Sequence, residues 1–422
     1  MLPSFLTGRT ARGLTLLYIS TLFAGVGWSM ILPIIPQFAD EFGISNGLAI
    51  QVVTGFGIGR FIGTPLSGYI VDRFGSRLAL VGGPLLAAAA AIVSAFTPWF
   101  GAIIVAAMFV GAGESMWAFG REIAGLDITS ASQRGRVLSG FHGVHGAGLA
   151  VGPLIGGIVA DTIGLRAVFL AFAIESTAAV LIGLTIANSR SQRRAAVEPK
   201  AQPPGLTRWD PREWIRTLHS LILRIQPELR TTYALLVYAT FAGFLFRQGM
   251  QGLLPIFADE KLGLSSTQIG LLFSFAGVIV IALTLPTGLV IDKIGRKWAT
   301  VPSTMLPGLA FLLLPFAESF LVLIPLVAVM GVANGLSLGS LATSTYDVVP
   351  PEVRGRLQAV RRTIADTAAI GAPAIGGLLA NAYGPAVPFV VYAPFILLAG
   401  LLLMLFGKET ISKRADQSET TR

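Results

Sequence analysis

Polar residues in this chain fall in short clusters. Between the clusters run long apolar stretches that show neither a helical stripe nor strand-like alternation. The segment from Leu78 to Phe96, for example, carries no charge. A helix needs about 20 mostly apolar residues to cross a hydrocarbon core about 30 Å thick. Twelve stretches meet that length: Leu14 to Phe38, Leu48 to Val71, Leu78 to Phe96, Phe100 to Leu126, Val137 to Ala160, Ala167 to Ala187, Tyr233 to Ala258, Gln268 to Ile291, Ala299 to Phe316, Phe320 to Tyr346, Leu357 to Ala380 and Val387 to Phe406. A lipid-facing barrel strand would be about 10 residues of alternating polarity. The pattern therefore predicts an all-α integral membrane protein with 12 transmembrane helices. The first span is too long for a removable signal segment and lacks a small-residue cleavage site.

Composition agrees: 53% of the 422 residues are hydrophobic and only 13% charged, where ordinary globular chains are about 25% charged. The net charge of +9 adds an orientation. Positive side chains are retained on the cytoplasmic side of short loops. With both termini cytoplasmic, 26 of the 31 lysines and arginines fall on that side, Arg166 and Lys261 on the other, and Arg60, Arg121 and Arg247 within spans. The charge thus reads as topology in a cell (inner or plasma) membrane. It is not the clustered basic face of a nucleic-acid-binding domain. Zero cysteines exclude disulfides and thiolate metal sites. His142 and His145 share a helix face, but no third histidine or acidic residue joins them at ligand spacing, so no metal and no cofactor is expected. An enzyme at membrane depth would need a nucleophile with its base or a metal cluster, and no His-Glu-x-x-His or phosphate-binding loop is present.

The rhythm breaks once, over residues 188–230, which carry nine basic and four acidic residues. This divides the chain into a first unit at 1–187, a cytoplasmic linker at 188–230, a second unit at 231–410 and a tail at 411–422. Within the linker, Trp209 to Ile225 places Trp214, Ile215, Leu218, Leu221 and Ile222 on one face, as expected of a helix lying in the headgroup region; a flexible tether is the alternative. The two units repeat each other at an offset of 220 residues. Gly68 to Arg77 recurs as Gly288 to Lys297, Asp127 as Asp347, Arg134-Gly135-Arg136 as Arg354-Gly355-Arg356, and Pro153 with Gly156-Gly157 as Pro373 with Gly376-Gly377. At 219, Phe38-Ala39-Asp40-Glu41 recurs as Phe257 to Glu260.

Because each unit has six helices, an even number, both enter the membrane from the same side, related by a pseudo-two-fold axis along the membrane normal. The duplicated Gly-x-x-x-Asp-(Arg/Lys)-x-Gly-x-(Arg/Lys) loop resembles the signature of the major facilitator superfamily. That resemblance implies two six-helix bundles, a substrate site between them and alternating access by rocking. It also implies a cytoplasmic latch, with Asp72, Arg73, Arg77 and Asp127 meeting the start of helix eleven in one half and Asp292, Arg296 and Asp347 grouped in the other; the alternative is that these charges only set topology. Gly148, Gly152, Pro153, Gly156 and Gly157 in span five resemble the glycine-rich motif of the antiporter-like, drug-exporting branch. They read equally as a helix-packing seam. One departure is clear: the helix-four arginine found in many proton-driven exporters is replaced by Ala107, four residues before Gly111.

Charges inside spans are costly unless paired or wet, and they point to function. Arg60, Glu114, Glu175 and Arg247 sit midway along spans two, four, six and seven. The resemblance places helices one, four, seven and ten around the cavity, which puts Glu114 and Arg247 first, Arg60 near the rim and Glu175 in a peripheral helix. Glu114 is expected either to trade a proton with cargo or to form a permanent ion pair with Arg60 or Arg247. Trp28, Met30, Trp117, Phe246, Gln248, Gln251 and Asn334 complete the candidate lining, which suits an amphipathic or lipophilic cargo. The expected function is secondary transport of a small molecule by a monomer in the bilayer, as an exporter coupled to protons. A facilitator or symporter of a polar solute, a lipid flippase and a non-transporting sensor are the alternatives. The halves do not share their buried charges, since Glu114 aligns with Asn334 and Arg60 with Val280.

Overall fold

The computed structural model describes residues 8–130, 133–186, 211–337 and 339–409. Twelve helices within it are long and apolar enough to cross a membrane. The first half holds α1 (Gly8–Ser29), α2 (Gln51–Phe74), α3 (Ser76–Phe96), α4 (Phe100–Asp127), α5 (Arg134–Thr162) and α6 (Leu165–Thr185). The second holds α7 (Pro227–Leu262), α8 (Ser266–Lys293), α9 (Lys297–Leu313), α10 (Phe320–Ser337, continued by Ser340–Val348), α11 (Arg354–Tyr383) and α12 (Val387–Phe406). Twelve crossings return the chain to the side on which it began, giving the fold a termini end and an opposite, distal end.

The repeat is written into the backbone as well as the sequence. Glycine takes a positive φ at Gly43 and Gly263 (60° and 61°), at Gly75 and Gly295 (89° and 151°), and at Gly164 and Gly384 (119° and 99°). Each pair is 220 residues apart. These are helix-end and reversal positions whose positive φ an L side chain adopts only at a cost. Ser45 and Ser265, again 220 apart, both cap the helix that follows through their side chains.

Two expectations about the elements change. The tenth span is not one continuous helix: it breaks after Ser337, and Gly339 at φ 81° starts the second piece. Its counterpart in the first half, α4, is unbroken over 28 residues. The connecting helix, Pro211–Leu223, buries Leu221 and nearby Ile225 against Tyr233, Val348, Val353 and Leu357 of the second half. Protein therefore covers apolar surface that the sequence pattern assigned to the lipid headgroups. Trp209 and the side chains of Trp214 and Ile215 lie outside the described residues.

The halves touch along α5 with α8 and along α2 with α11, and the first of these crossings opens progressively. A Cβ built on Gly157 would stand 2.3 Å from the Ser266 carbonyl oxygen; one on Gly270 would stand 2.4 Å from that of Pro153, and one on Gly277 2.6 Å from Ala150 Cα. At Gly146 the nearest atom, on Ile281, is 4.0 Å away, and at Gly143 nothing lies within reach. The other crossing mirrors it, with the Gly47 position 2.2 Å from the Gly377 carbonyl oxygen and Gly57 relaxed to 3.5 Å from that of Ala369. Polar contacts seal the distal end. Gln37 Nε2 donates to Ser266 Oγ at 2.9 Å, the Thr267 amide donates to the Asp161 carboxylate at 2.8 Å, and Asn46 donates to Glu260. The halves are thus closed at the distal end and diverge toward the termini end.

Candidate functional site

The divergence leaves two cavities between the halves. The larger of the two, of about 110 Å³, is lined by Ser29, Leu149 and Pro153 from the first half and by Arg247, Gln251 and Asn334 from the second, with Met250, Phe273 and Met330 forming apolar wall. The other, of about 60 Å³, holds Arg60, Phe61 and Thr64 of α2 opposite Phe244, Gln248, Arg362 and Asp366 of α7 and α11. Arg60, Phe61 and Thr64 are solvent-exposed, as expected where the halves have parted.

Arg247 is fixed by its neighbours. Its Nη2 donates to Ser337 Oγ at 2.8 Å, and that hydroxyl donates in turn to the Asn334 carbonyl at 2.9 Å, at the break in α10. The guanidinium carbon lies 5.4 Å from the Phe244 ring centroid, and that of Arg362 lies 4.8 Å from the same ring. One aromatic side chain therefore serves two cations. Arg362 has a counter-ion, Asp366, at 3.0 Å and i,i+4 spacing, while Arg247 Nε is buried with no partner. Gly335, Ser337 and Gly339 fit the spacing of a hydrolase nucleophile elbow, but Arg247 and the Asn334 carbonyl, not a histidine, engage that hydroxyl.

Of the sequence candidates, Arg60, Arg247, Gln248, Gln251 and Asn334 line these cavities. The structure places Glu114, Trp28 and Trp117 elsewhere, inside the first half. Trp28 stacks on Phe56 with ring centroids 3.7 Å apart. Trp117 is fully buried and donates through Nε1 to Ser20 Oγ at 2.8 Å, tying α4 to α1. Phe246 packs on Phe311 at 5.4 Å within the second half, and Met30 is buried against Gly156.

Glu114 is buried, and one of its carboxylate oxygens has no hydrogen-bond partner. The charges acting on it are Arg121 and then Arg60. Arg121 belongs to this interior as well: it is buried, with its guanidinium carbon 5.0 Å from the Trp117 ring centroid. Glu175 is also less peripheral than expected. It accepts from Ser176 Oγ at 3.3 Å, its other oxygen is buried without a partner, and its carboxylate lies against Gly27 of α1. Two carboxylates, Glu114 and Glu175, thus share the field of one enclosed guanidinium, Arg121. His145 lies near Arg121 and Arg60 with its Nδ1 buried and unpartnered among the described residues, while His142 is exposed. Among the described residues no cluster suits a metal ion.

At the termini end Arg296 forms an ion pair with Asp347 at 3.0 Å and donates through Nη1 to the Ile291 carbonyl. The Glu409 carboxylate accepts from the Arg296 and Lys297 amides. In the first half Arg77 donates to the Leu184 carbonyl at 3.0 Å and Arg73 to Tyr69 Oη at 2.7 Å; Asp72 and Asp127 are both engaged. The Asp292 side chain lies outside the described residues. In α5, Gly148, Gly152 and Gly156 meet α1 backbone, whereas Gly157 and Pro153 face α8 of the other half. The motif is therefore a packing seam on one face and an inter-half contact on the other.

Sequence reasoning missed Arg362 and Asp366 as site residues. Arg362 lies near the end of a span and reads as a topology charge, and Asp366 carries no assigned role, although their i,i+4 spacing was a usable signal for a pair projecting from one face.

A family model described as Major Facilitator Superfamily matches residues 17–261 and 236–422. The tetracycline resistance protein, class C, of Escherichia coli is 25% identical over 355 residues, covering 83% of this chain and 85% of the relative. The multidrug resistance protein MdtG of Enterobacter lignolyticus is 24% identical over 443 residues, covering 97% and 96%. Among solved structures, the inward open conformation of the xylose transporter XylE from E. coli matches with a TM-score of 0.73 at 16% identity, over 97% of this chain and 98% of that one. The peptide transporter POT in complex with sulfate matches at 0.74 and 15%, over 93% and 94%. Identities this low speak for the fold alone.

Proposed function

Because this chain belongs to the major facilitator superfamily and so carries a small molecule across a membrane rather than transforming it, we propose that it exports an amphipathic or lipophilic compound in exchange for protons. The observation that carries the reading is the pairing of two features within one chain. One is a cleft with apolar walls and a few fixed polar groups, Arg247, Gln251 and Asn334. The other is a buried carboxylate, Glu114, with an unsatisfied oxygen in the neighbouring interior. A carboxyl group kept from water and partly unpaired is suited to take up and release a proton. The two relatives' names, tetracycline resistance and multidrug resistance, support export of amphipathic compounds.

With the termini cytoplasmic, the open end of the cleft faces the cytoplasm, the loading state of an exporter. Arg60 links the two features, lying in the cleft while acting on Glu114 from outside the first half's core. The termini-end groups Asp72, Arg73, Arg77, Asp127, Asp292, Arg296 and Asp347 would hold the state in which that end closes. Since both cavities are completed by one chain, a monomer suffices.

In proteoliposomes, a panel of aromatic anions, aromatic cations, sugars and amino acids is expected to yield uphill flux of an amphipathic member only when a pH gradient is imposed, with the gradient discharged in return. Flux indifferent to the gradient would make the protein a facilitator. Flux confined to sugars or amino acids would overturn the cargo class, and no flux across the panel would leave a sensor.

A further inference from the structure

The two cavities between the halves are lined by three guanidinium groups, Arg60, Arg247 and Arg362, and one carboxylate, Asp366, among the described lining residues. Asp366 is committed to Arg362, and Arg60 has Glu114 within electrostatic range from inside the first half. Arg247 is left over. Among the described residues the one charge acting on it is Arg362, of the same sign, its Nε is buried without an acceptor, and a serine hydroxyl is its hydrogen-bond partner. An enclosed cation of this kind is expensive unless something completes it.

We infer that the cargo is an amphipathic organic anion whose carboxylate or comparable head group is held by Arg247, with its apolar part against Met250, Phe273 and Met330. This rests on the reading of the cleft as the transport site, and it narrows that reading against lipophilic cations. The geometry suits the assignment in three ways. Arg247 lines the cavity, and its guanidinium is a planar fork that matches a carboxylate. Ser337 and the face of Phe244 hold that fork in place. A cavity of about 110 Å³ takes a head group and the first few carbons attached to it, a water molecule's share of liquid volume being about 30 Å³. Gln251 and Asn334 supply further donors in the same cavity. If a monoanion leaves as a proton enters, both movements carry positive charge inward, so an inside-negative membrane potential drives the exchange.

The test uses three probes with one hydrophobe, 1-pyrenebutyrate, 1-pyrenebutanol and 1-pyrenebutylamine, and reads the ratio of their affinities for the full-length protein in nanodiscs. Inactive protein cancels in such a ratio. The wild type is expected to prefer the carboxylate over the alcohol by about tenfold or more, the range for a charge-assisted bond at an enclosed site, and to disfavour the ammonium. Arg247→Gln should bring the carboxylate-to-alcohol ratio to near unity, Arg247→Lys should retain part of the preference, and Arg166→Gln, outside the cleft, should leave it unchanged. An ammonium preference in the wild type, or a carboxylate preference that survives Arg247→Gln, overturns the assignment. Flux distinguishes this failure from that of the exchange reading: pyrenebutyrate moving with protons rather than against them would remove antiport and leave the anion assignment supported.

Discussion

Gly157→Val is expected to drive the protein out of its distally closed conformation and to reduce transport about fivefold or more. Gly157 packs on the backbone of the opposing half, and an added Cβ would meet Ser266 O at 2.3 Å, Ser266 C at 2.7 Å and Thr267 Cα at 2.8 Å. None of these atoms belongs to a side chain that can swing aside, so the halves themselves must separate. Overpacking a close contact costs about 1–3 kcal/mol, and a bias of that size moves a two-state equilibrium by about 5- to 150-fold. The chain has no native cysteine, so a thiol introduced as Thr267→Cys reports this region alone. Its labelling by a membrane-impermeant maleimide should accelerate in the Gly157→Val background. Unchanged labelling together with unchanged flux would show that the distal contact does not control access.

Glu114→Gln is expected to separate the proton from the cargo. The substitution preserves shape and removes the titrating group, so uphill flux under a pH gradient should fall to the level seen without one, while downhill flux down a cargo gradient continues. Among the two interior carboxylates Glu114 is the stronger candidate because Arg60, which acts on it, reaches the inter-half cleft. Glu175 has no such link and adds to the same enclosed field from α6. Retained gradient-driven accumulation in Glu114→Gln would remove Glu114 from coupling and leave its contact with Arg60 and Arg121 as structural.

Spans, repeat and reversals were legible in the sequence because each depends on local chemistry. Span length follows from the apolar run, and the reversals need glycine at 43, 75 and 164, and again 220 residues later, because only glycine takes those φ values cheaply. What each helix faces was far less legible. In a soluble helix a polar stripe marks the outside, but here lipid and protein are both apolar, so Trp28 and Trp117 looked like cavity residues and proved to be interior packing. The α10 break was hidden for a related reason: the apolar run from Phe320 to Tyr346 continues through it, and only the backbone at Gly339 shows that the helix is interrupted there. Arg362 illustrates the reverse error, a charge near a span end that tertiary structure turns toward the cleft. Arg247, by contrast, was readable as functional from its depth in a span alone, since nothing in its own helix can neutralise it.

Alternating access around the cleft requires the distances across its two ends to change in opposite senses. Spin labels at Leu48→Cys and Tyr383→Cys span the distal end, and labels at Leu66→Cys and Thr363→Cys span the termini end; all four positions are exposed on helices or helix ends that face each other across α2 and α11. In lipid nanodiscs, as cargo and pH are varied, one distance is expected to lengthen as the other shortens. Both distances changing together, or neither responding to any condition that supports flux, would contradict it.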